Sequence, residues 1–120
     1  MTEIRKSKQY DLEERTLKFA KDVIKFVKSL SRTIANIEII KQLVRASGSV
    51  GANYIEANEA LSKKDFVMRI KICRKEAKES RYWLKLIEVN GESSEKKRQL
   101  LIQEATELMK IFGAVLEKTK

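Results

Sequence analysis

Apolar residues occupy almost every side of the helical pattern that runs over residues 33–60. A helix without a wide polar face is expected to be buried against other helices. Small residues cluster near the middle of this segment, where each glycine costs about 1 kcal/mol relative to alanine. We therefore predict that neighbouring helices approach closely at three of them, Gly48, Gly51 and Ala52. The alternative is a loop at these residues that splits the helix.

Charged residues lie within the same apolar segment. Arg45 and Glu56 share one helical face, but about 16 Å separates them along a helix, so they cannot pair with each other in one chain. A buried charge without a partner costs several kcal/mol. Because the next helix runs back alongside this one, Arg45 is level with Glu76 and Glu79. Glu56 is level with Arg69 in the same way. We predict ion pairs among these residues, within the chain or between subunits. The alternative is that they are ordinary solvated charges.

The composition is typical of an all-α protein with a single domain. The 120 residues include no proline and only four glycines, and Lys, Glu, Leu, Ile and Ala dominate. The chain has one cysteine, Cys73, and no histidine, which excludes an intramolecular disulfide, a Ser-His-Asp triad, a Cys-His dyad and a zinc site. We expect no cofactor. No apolar run resembles a signal peptide or reaches the roughly 20 residues that cross a bilayer, so we expect a cytoplasmic protein that does not bind membranes.

Capping and turn signals predict four helices. Residues 1–10 are polar and basic and are expected to form a flexible tail, and residues 11–120 are expected to form one four-helix bundle domain. A capping box at Asp11 and Glu14 is expected to start the first helix. The second helix is expected to run from an N-cap at Ser31 or Thr33 to about Ala60, and the third from an N-cap at Ser62 to about Val89. Gly91 is expected at the C′ position that follows the third helix. The fourth helix is expected to run from an N-cap at Ser93 or Ser94 to about Glu117. Short connections between helices of similar length predict a left-handed, antiparallel, up-down-up-down bundle.

Apolar stripes predict which face of each helix is buried. In the first helix, the core stripe is expected to comprise Leu17, Ala20, Ile24 and Val27. A second stripe beside it comprises Phe19, Val23, Phe26 and Leu30, so this helix is expected to bury a wide surface. In the third helix, a heptad stripe from Phe66 to Ile87 is expected to face the core. Met68, Ile72 and Trp83 lie on another face. Helices two and three therefore carry more apolar surface than a bundle needs, and this surplus predicts a subunit interface.

Positive charge is concentrated on the third helix. The formal net charge is +9, and more than half of the excess falls on residues 61–91. Repeated cations on one face are suited to contact phosphates. The candidate nucleic-acid-binding residues are Lys64, Lys71, Arg74, Lys75, Lys78, Arg81 and Lys85. Tyr82 and Trp83 would add base stacking, or they simply pack beside the heptad stripe. The alternative for the charge is a solvated face that serves solubility.

The sequence offers little for catalysis. Glu76 and Glu79 have the i, i+3 spacing of paired carboxylates, but di-metal sites in bundles also use a Glu-x-x-His pattern, and the chain has no histidine. Cys73 lies on the core stripe, where a buried and inert thiol is the default. We therefore predict that the protein is not an enzyme. A metal or small molecule bound near Glu76 and Glu79 would be the sign of an unforeseen activity.

Three stretches carry a family resemblance. The sequences LVRASGSVGANYIEA (43–57), RKEAKESRYWLKLI (74–87) and DLEERTLKFAKDVIKFV (11–27) resemble the bacterial four helix bundle protein family, whose first members are encoded in intervening sequences of 23S ribosomal RNA genes. The resemblance implies an up-down bundle that assembles into a ring-like homopentamer. Gly48 departs from the family pattern, in which a less flexible residue is expected. The ribosomal label of the family describes gene location and does not imply a ribosomal role.

The family resemblance and the charge together lead to a functional hypothesis. A related branch, the accessory protein of diversity-generating retroelements, is a basic pentamer that partners a reverse transcriptase and contacts nucleic acid. By resemblance, the partners would be other copies of this chain, RNA or DNA, and a nucleic-acid-processing protein. We hypothesise a non-enzymatic, self-assembling bundle that acts as an RNA- or DNA-binding adaptor. The alternative is a structural or protein-interaction module that does not bind nucleic acid.

Overall fold

Four α-helices make up the computed structural model, which describes the backbone of residues 2–120 and the side chains of residues 12–120. The helices are α1 (Thr2–Lys28), α2 (Ile34–Asn58), α3 (Lys63–Leu86) and α4 (Gly91–Lys118). Residues 2–120 contain no strand, which confirms the all-α prediction. None of the helices in that range combines the length and the apolar character that a membrane span requires.

Side-chain caps fix the starts of α2 and α3 where the sequence predicted them. The hydroxyl of Thr33 accepts a hydrogen bond from the backbone N–H of Asn36 at 3.1 Å. The hydroxyl of Ser62 accepts one from the backbone N–H of Asp65 at 3.0 Å. Each bond satisfies an N–H group that has no partner inside its own helix. The predictions for these two N-caps are therefore confirmed.

The predicted start of α1 is wrong. The helix already begins at Thr2, so Asp11 and Glu14 lie in its interior and do not cap it. The physical reason is that residues 2–10 contain no proline or glycine that would stop the helix from extending backwards. The side chains of residues 1–11 lie outside the described residues, and the flexibility expected for residues 1–10 stays a prediction.

The connection between α3 and α4 also differs from the prediction. Ile87 is 1% exposed, and the chain becomes extended there to place this side chain in the core, so α3 ends at Leu86 rather than near Val89. Gly91 is the first residue of α4 rather than a C′ residue, and its φ of +87° strongly favours glycine. Asn90 is the N-cap position, so Ser93 and Ser94 lie inside the helix.

The backbone of each helix lies close to those of two others. The close pairs are α1/α2, α2/α3, α3/α4 and α1/α4, and in the part of the chain that the structure describes no Cα atoms of the diagonal pairs α1/α3 and α2/α4 come within 8 Å of each other. Side chains do meet across the α2/α4 diagonal, where the rings of Tyr54 and Phe112 have centroids 6.0 Å apart. A buried amide ties two of the connections together at one end of this bundle. Asn36 is 0% exposed, and its Nδ2 donates to the carbonyls of Ser31 and Glu88 at 3.0 Å each. Its Oδ1 accepts from the N–H of Glu88 at 3.0 Å. A buried asparagine with its bonds satisfied in this way fixes the register of its neighbours.

The core follows the predicted stripe on α3 but includes only part of the surface that was predicted to be buried on α1. The α3 residues between Ile70 and Leu84 that belong to the heptad stripe are all buried. On α1, Phe19 and Phe26 are buried, whereas Leu17 and Ile24 are 52% and 41% exposed. The two stripes of α1 lie side by side, and the one with two phenylalanines removes more apolar area from water. The wide buried surface predicted for α1 was therefore wrong in part, because the second stripe is buried whereas only Val27 of the first stripe is buried.

Helix α2 is continuous but is not buried on every side. It runs through its small residues without a break, so the alternative of a loop is wrong. A Cβ atom added at Gly51 would lie 2.9 Å from Oγ1 of Thr16, so α1 approaches α2 closely at this glycine. A Cβ at Gly48 would meet nothing within 4 Å, and Gly48 and Ala52 are exposed in the single chain. Of the three small residues predicted to be close-packed, only Gly51 is so within one chain.

Candidate nucleic-acid interface

One side of α3 carries a dense set of cations. We call it the basic face of α3, and it comprises Lys64, Lys71, Arg74, Lys75, Lys78, Arg81 and Lys85. All of these side chains are exposed except that of Arg81, which is half-buried. The opposite side of α3 is packed into the core, so the amphipathic pattern of the helix itself directs the cations to solvent.

Four lysines of the basic face recur with a heptad spacing. Lys64, Lys71, Lys78 and Lys85 are each separated by two helical turns, or about 10.5 Å. A seven-residue repeat drifts by only about 20° per repeat around a straight helix. The four lysines therefore form an almost straight row about 32 Å long. Both the spacing and the separation of the row from the core stripe follow from the sequence, and the buried residues of α3 agree with them.

The cations of the basic face are not neutralised by neighbouring carboxylates. Within residues 12–120, no acidic side chain lies within 4.0 Å of any of the seven charged groups. The guanidinium of Arg81 donates to the hydroxyl of Thr106 at 3.4 Å. Because a hydroxyl is neutral, this bond does not offset the positive charge of Arg81. Other cations of the protein do have such partners, as in the pairs Arg15–Glu104 and Arg98–Glu95. An unneutralised row of this kind attracts a polyanion.

A separate charged cluster joins α2 to α3. The guanidinium of Arg45 lies 2.7 Å from Oε1 of Glu79 and 3.4 Å from Oε2 of Glu76. Glu76 is 8% exposed, whereas the side chain of Arg45 is 48% exposed. The prediction brought these three residues together, but it wrongly assumed that the arginine is buried. These ion pairs join α2 to α3 within one chain, so the cluster needs no second subunit to pair its charges.

The second predicted ion pair is not formed in the single chain. Arg69 donates to Oδ1 of Asn53 at 3.0 Å, and Glu56 is exposed with no cation of residues 12–120 within 4.0 Å. Asn53 lies one helical turn before Glu56 and closer to α3, so it reaches Arg69 first. Because Glu56 is solvated, it carries no burial cost that a partner would have to offset.

The residues predicted as a subunit interface have different environments. Met68 is 47% exposed, Ile72 is half-buried, and Trp83 is half-buried against the core of its own chain. The indole Nε1 of Trp83 is buried and has no hydrogen-bond partner among the described residues. Its ring meets that of Tyr82 edge-on, with centroids 5.0 Å apart. Trp83 therefore packs partly against the core of its own chain, and of the three residues only Met68 is classed as exposed.

The sequence interpretation expected surplus apolar surface on α2, but it did not identify the exposed residues or the part that α1 contributes. Leu17 and Ile24 on α1 are 52% and 41% exposed, and Ile37 and Ile55 on α2 are 40% and 53% exposed. We call these four residues the α1/α2 patch. Leu17 and Ile24 were assigned to the core because their spacing is regular, and Ile37 and Ile55 were assigned to a helix buried on all sides. Periodicity alone does not show which of two apolar stripes is the buried one.

The described residues hold no arrangement that suits a metal ion. Among them, no three acidic or cysteine side chains are grouped closely enough to share a cation. Glu76 and Glu79, the paired carboxylates noted in the sequence, both face the guanidinium of Arg45. An arginine between two carboxylates occupies the position that a metal would need.

Cys73 is an inert thiol by position and by chemistry. It is 0% exposed, and its burial raises the pKa of the thiol to about 12. Thiol reagents react with the thiolate, so we predict that native protein at pH 8 resists an aromatic disulfide reagent while unfolded protein reacts at once. The unfolded thiol ionises near pH 9 and the folded thiol only near pH 12, so stability should fall as the pH rises above 9. Rapid reaction of the native protein would contradict this assignment.

The helices, the shared core and the exposed cations define a small, basic four-helix bundle. The sequence matches the family model of the 23S rRNA-intervening sequence protein over residues 8–114. The chain belongs to this family, as the resemblance of its three stretches predicted.

A solved structure agrees with this assignment. It is the crystal structure, at 1.70 Å resolution, of a protein of unknown function from the S23 ribosomal protein family of Bacteroides thetaiotaomicron. The two chains are 29% identical, with a TM-score of 0.77 over 88% of this chain and 97% of the other. A comparison with curated proteins gave no match. The family therefore establishes the fold and leaves the function to be argued from the surface.

Proposed function

We propose that this protein is a non-enzymatic, self-associating four-helix bundle that binds nucleic acid through the basic face of α3. The observation that carries the proposal is the set of seven cations on one helical face, none with a carboxylate of residues 12–120 within 4.0 Å. A charge that served solubility alone would not need to be gathered on one helix. Nucleic acid is a polyanion with regularly spaced charges, so it fits a regularly spaced row.

The proposed topology is a left-handed up-down-up-down bundle. Bonds between neighbouring helices support antiparallel packing, because residues late in one helix meet residues early in the next. Asn58 at the end of α2 donates to Glu13 of α1 at 3.2 Å. Between α2 and α3, Arg45 meets Glu79 while the later Asn53 meets the earlier Arg69. Short connections then place all four helices side by side.

Self-association is proposed through the α1/α2 patch. Gly51 lies against Thr16 and Asn58 reaches Glu13, so Leu17 is level with residues 50–54, Ile24 is level with residues 43–47, and Gly48 lies between these two levels. The missing side chain of Gly48 leaves open space there, so another helix could approach closely between the exposed apolar residues. Four exposed, branched aliphatic side chains on one pair of helices favour burial against a second copy. The family resemblance implies a ring-like homopentamer, in which each copy would repeat the basic face around the assembly.

A salt titration tests the proposal. We expect a fluorescently labelled 20-nucleotide RNA to bind at 50 mM salt and to bind progressively more weakly as salt is raised. If four to seven cations contact phosphates, the slope of log K against log salt should be about −3 to −5 per chain, a loss of roughly 60- to 1,000-fold between 50 and 200 mM. Absence of binding at 50 mM, or an affinity that does not change with salt, would overturn the proposal.

The second candidate function is a protein-interaction module without nucleic-acid binding. The observation in its favour is the α1/α2 patch, whose four residues are each at least 40% exposed. The same titration separates the two functions, because a protein-interaction module would self-associate and show no affinity for RNA.

A further inference from the structure

The basic face of α3 includes an aromatic ring. Tyr82 is 57% exposed, and it is the only aromatic side chain of residues 12–120 that is exposed rather than buried or half-buried. On a helix, the neighbours of a residue lie three, four and seven positions away. For Tyr82 these neighbours include Lys75, Lys78 and Lys85. Tyr82 therefore lies within the basic face and directly beside the lysine row, about 60° around the helix axis from Lys85.

The ring of Tyr82 packs edge-on against the ring of Trp83. The edge-on contact with Trp83, at 5.0 Å between centroids and an interplanar angle of 76°, is a favourable geometry for two aromatic rings. Trp83 is itself packed against the core. Tyr82 thus has a rigid support on one edge, while more than half of its surface remains accessible.

From this arrangement we infer that the basic face of α3 binds single-stranded nucleic acid, with a base stacked on the ring of Tyr82 and the flanking phosphates held by the lysine row. The inference rests on the proposed function and names its ligand. Proteins that bind single strands without sequence preference combine these two features, a positive track for the backbone and aromatic rings for the bases.

The geometry of the row disfavours a duplex. The four lysines span about 32 Å in a nearly straight line, whereas each strand of B-DNA winds once around the duplex in about 34 Å. A straight row laid along a duplex would meet each strand about once, and its remaining lysines would face a groove. The bases of a duplex are also stacked on one another, so their faces cannot reach Tyr82. A flexible single strand can follow the row and turn a base outwards.

The test compares four ligands of equal length, each labelled at one end: dT20, U20, an abasic 20-mer of deoxyribose phosphate, and a 20-base-pair DNA duplex. We expect dT20 and U20 to bind the native full-length protein more tightly than the abasic strand by roughly 5- to 150-fold, the gain that stacking of one base provides. The duplex should bind more weakly than dT20 at the same salt concentration. Tighter binding of dT20 would identify DNA as the preferred nucleic acid, and tighter binding of U20 would identify RNA. Either preference supports the inference.

Two variants assign the effect to the ring. Tyr82→Leu should lower the affinity for dT20 to that for the abasic strand, while the abasic affinity and the salt slope stay unchanged because every cation remains. Tyr82→Phe keeps the ring and should bind dT20 within about twofold of the original. Since Tyr82 is exposed, both variants should keep their helix content and melting temperature.

The emission of Trp83 gives a readout that needs no variant. The chain has a single tryptophan, and it touches Tyr82, so stacking on Tyr82 should change its fluorescence with dT20 and leave it unchanged with the abasic strand. Equal affinity for dT20 and the abasic strand, or tighter binding of the duplex, would overturn the inference while leaving the proposed function intact. If none of the four ligands binds at 50 mM salt, the proposed function itself fails.

Discussion

Replacing Lys71, Lys75 and Lys78 together by glutamine is expected to weaken binding of dT20 roughly 100-fold at 0.1 M salt. Each lysine that contacts a phosphate of a single strand contributes about 0.7 to the slope of log K against log salt, so the slope should become shallower by about 2. All three side chains are exposed, and exposed substitutions usually change stability by less than about 0.5 kcal/mol each. Circular dichroism and the melting temperature should therefore be unchanged, and fluorescence anisotropy over a salt series measures the loss.

A matched control separates a specific surface from general positive charge. Lys21, Lys25 and Lys28 are also exposed, and they lie on α1, none of whose Cα atoms comes within 8 Å of a Cα atom of α3 among the described residues. Replacing them by glutamine removes the same charge, and at 0.1 M salt an exposed charge acts over only about 10 Å. We expect the control to bind within about threefold of the original protein. Equal losses in the two triple variants would show that binding is diffuse and that α3 has no special role.

The double substitution of Ile24→Glu and Ile55→Glu is expected to convert the proposed homo-oligomer into monomers. These side chains are 41% and 53% exposed in the single chain, so the fold should tolerate the change. Inside an interface between copies, each carboxylate would be buried without a partner at a cost of several kcal/mol. Light scattering after size-exclusion chromatography should give a multiple of 13.9 kDa for the original protein and 13.9 kDa for the double variant.

Two single variants decide between the candidate interfaces. Met68→Glu places the same charge on the α3 surface that the sequence predicted as an interface, and Met68 is 47% exposed. Leu100→Glu does so on α4, at a leucine that is 64% exposed. We expect both to remain oligomeric. Monomers formed by Met68→Glu with an intact assembly in the Ile24/Ile55 variant would place the interface on α3, and would refute the role assigned to the α1/α2 patch.

Local signals were sufficient to predict the fold class and two of the helix starts. The Thr33 and Ser62 caps depend on side chains that bond to backbone groups three residues away, and such short-range chemistry is readable in a sequence. The start of α1 was misplaced because a capping pattern inside a helix does not begin one where no residue before it stops the helix, whereas the end of α3 depends on other elements. α3 stops where Ile87 enters the shared core, and no property of residues 87–90 alone shows this.

The candidate site was predictable in its residues and not in its surroundings. The heptad spacing of the lysines and the position of Tyr82 follow from the sequence. That the cations lack carboxylate partners, and that Tyr82 is exposed while Trp83 is partly buried, depends on how α3 packs against α2 and α4. The environment of Arg45 was misjudged for the same reason, because a helix that is apolar in sequence can still turn one side to solvent.

The most direct test of this account is the native mass of the full-length protein, measured with and without a single-stranded 20-mer at low salt. The account predicts a homo-oligomer of the 13.9 kDa chain that gains the mass of the oligonucleotide and releases it as salt is raised. A species of 13.9 kDa that gains no mass when the strand is added would contradict both the proposed assembly and the proposed ligand.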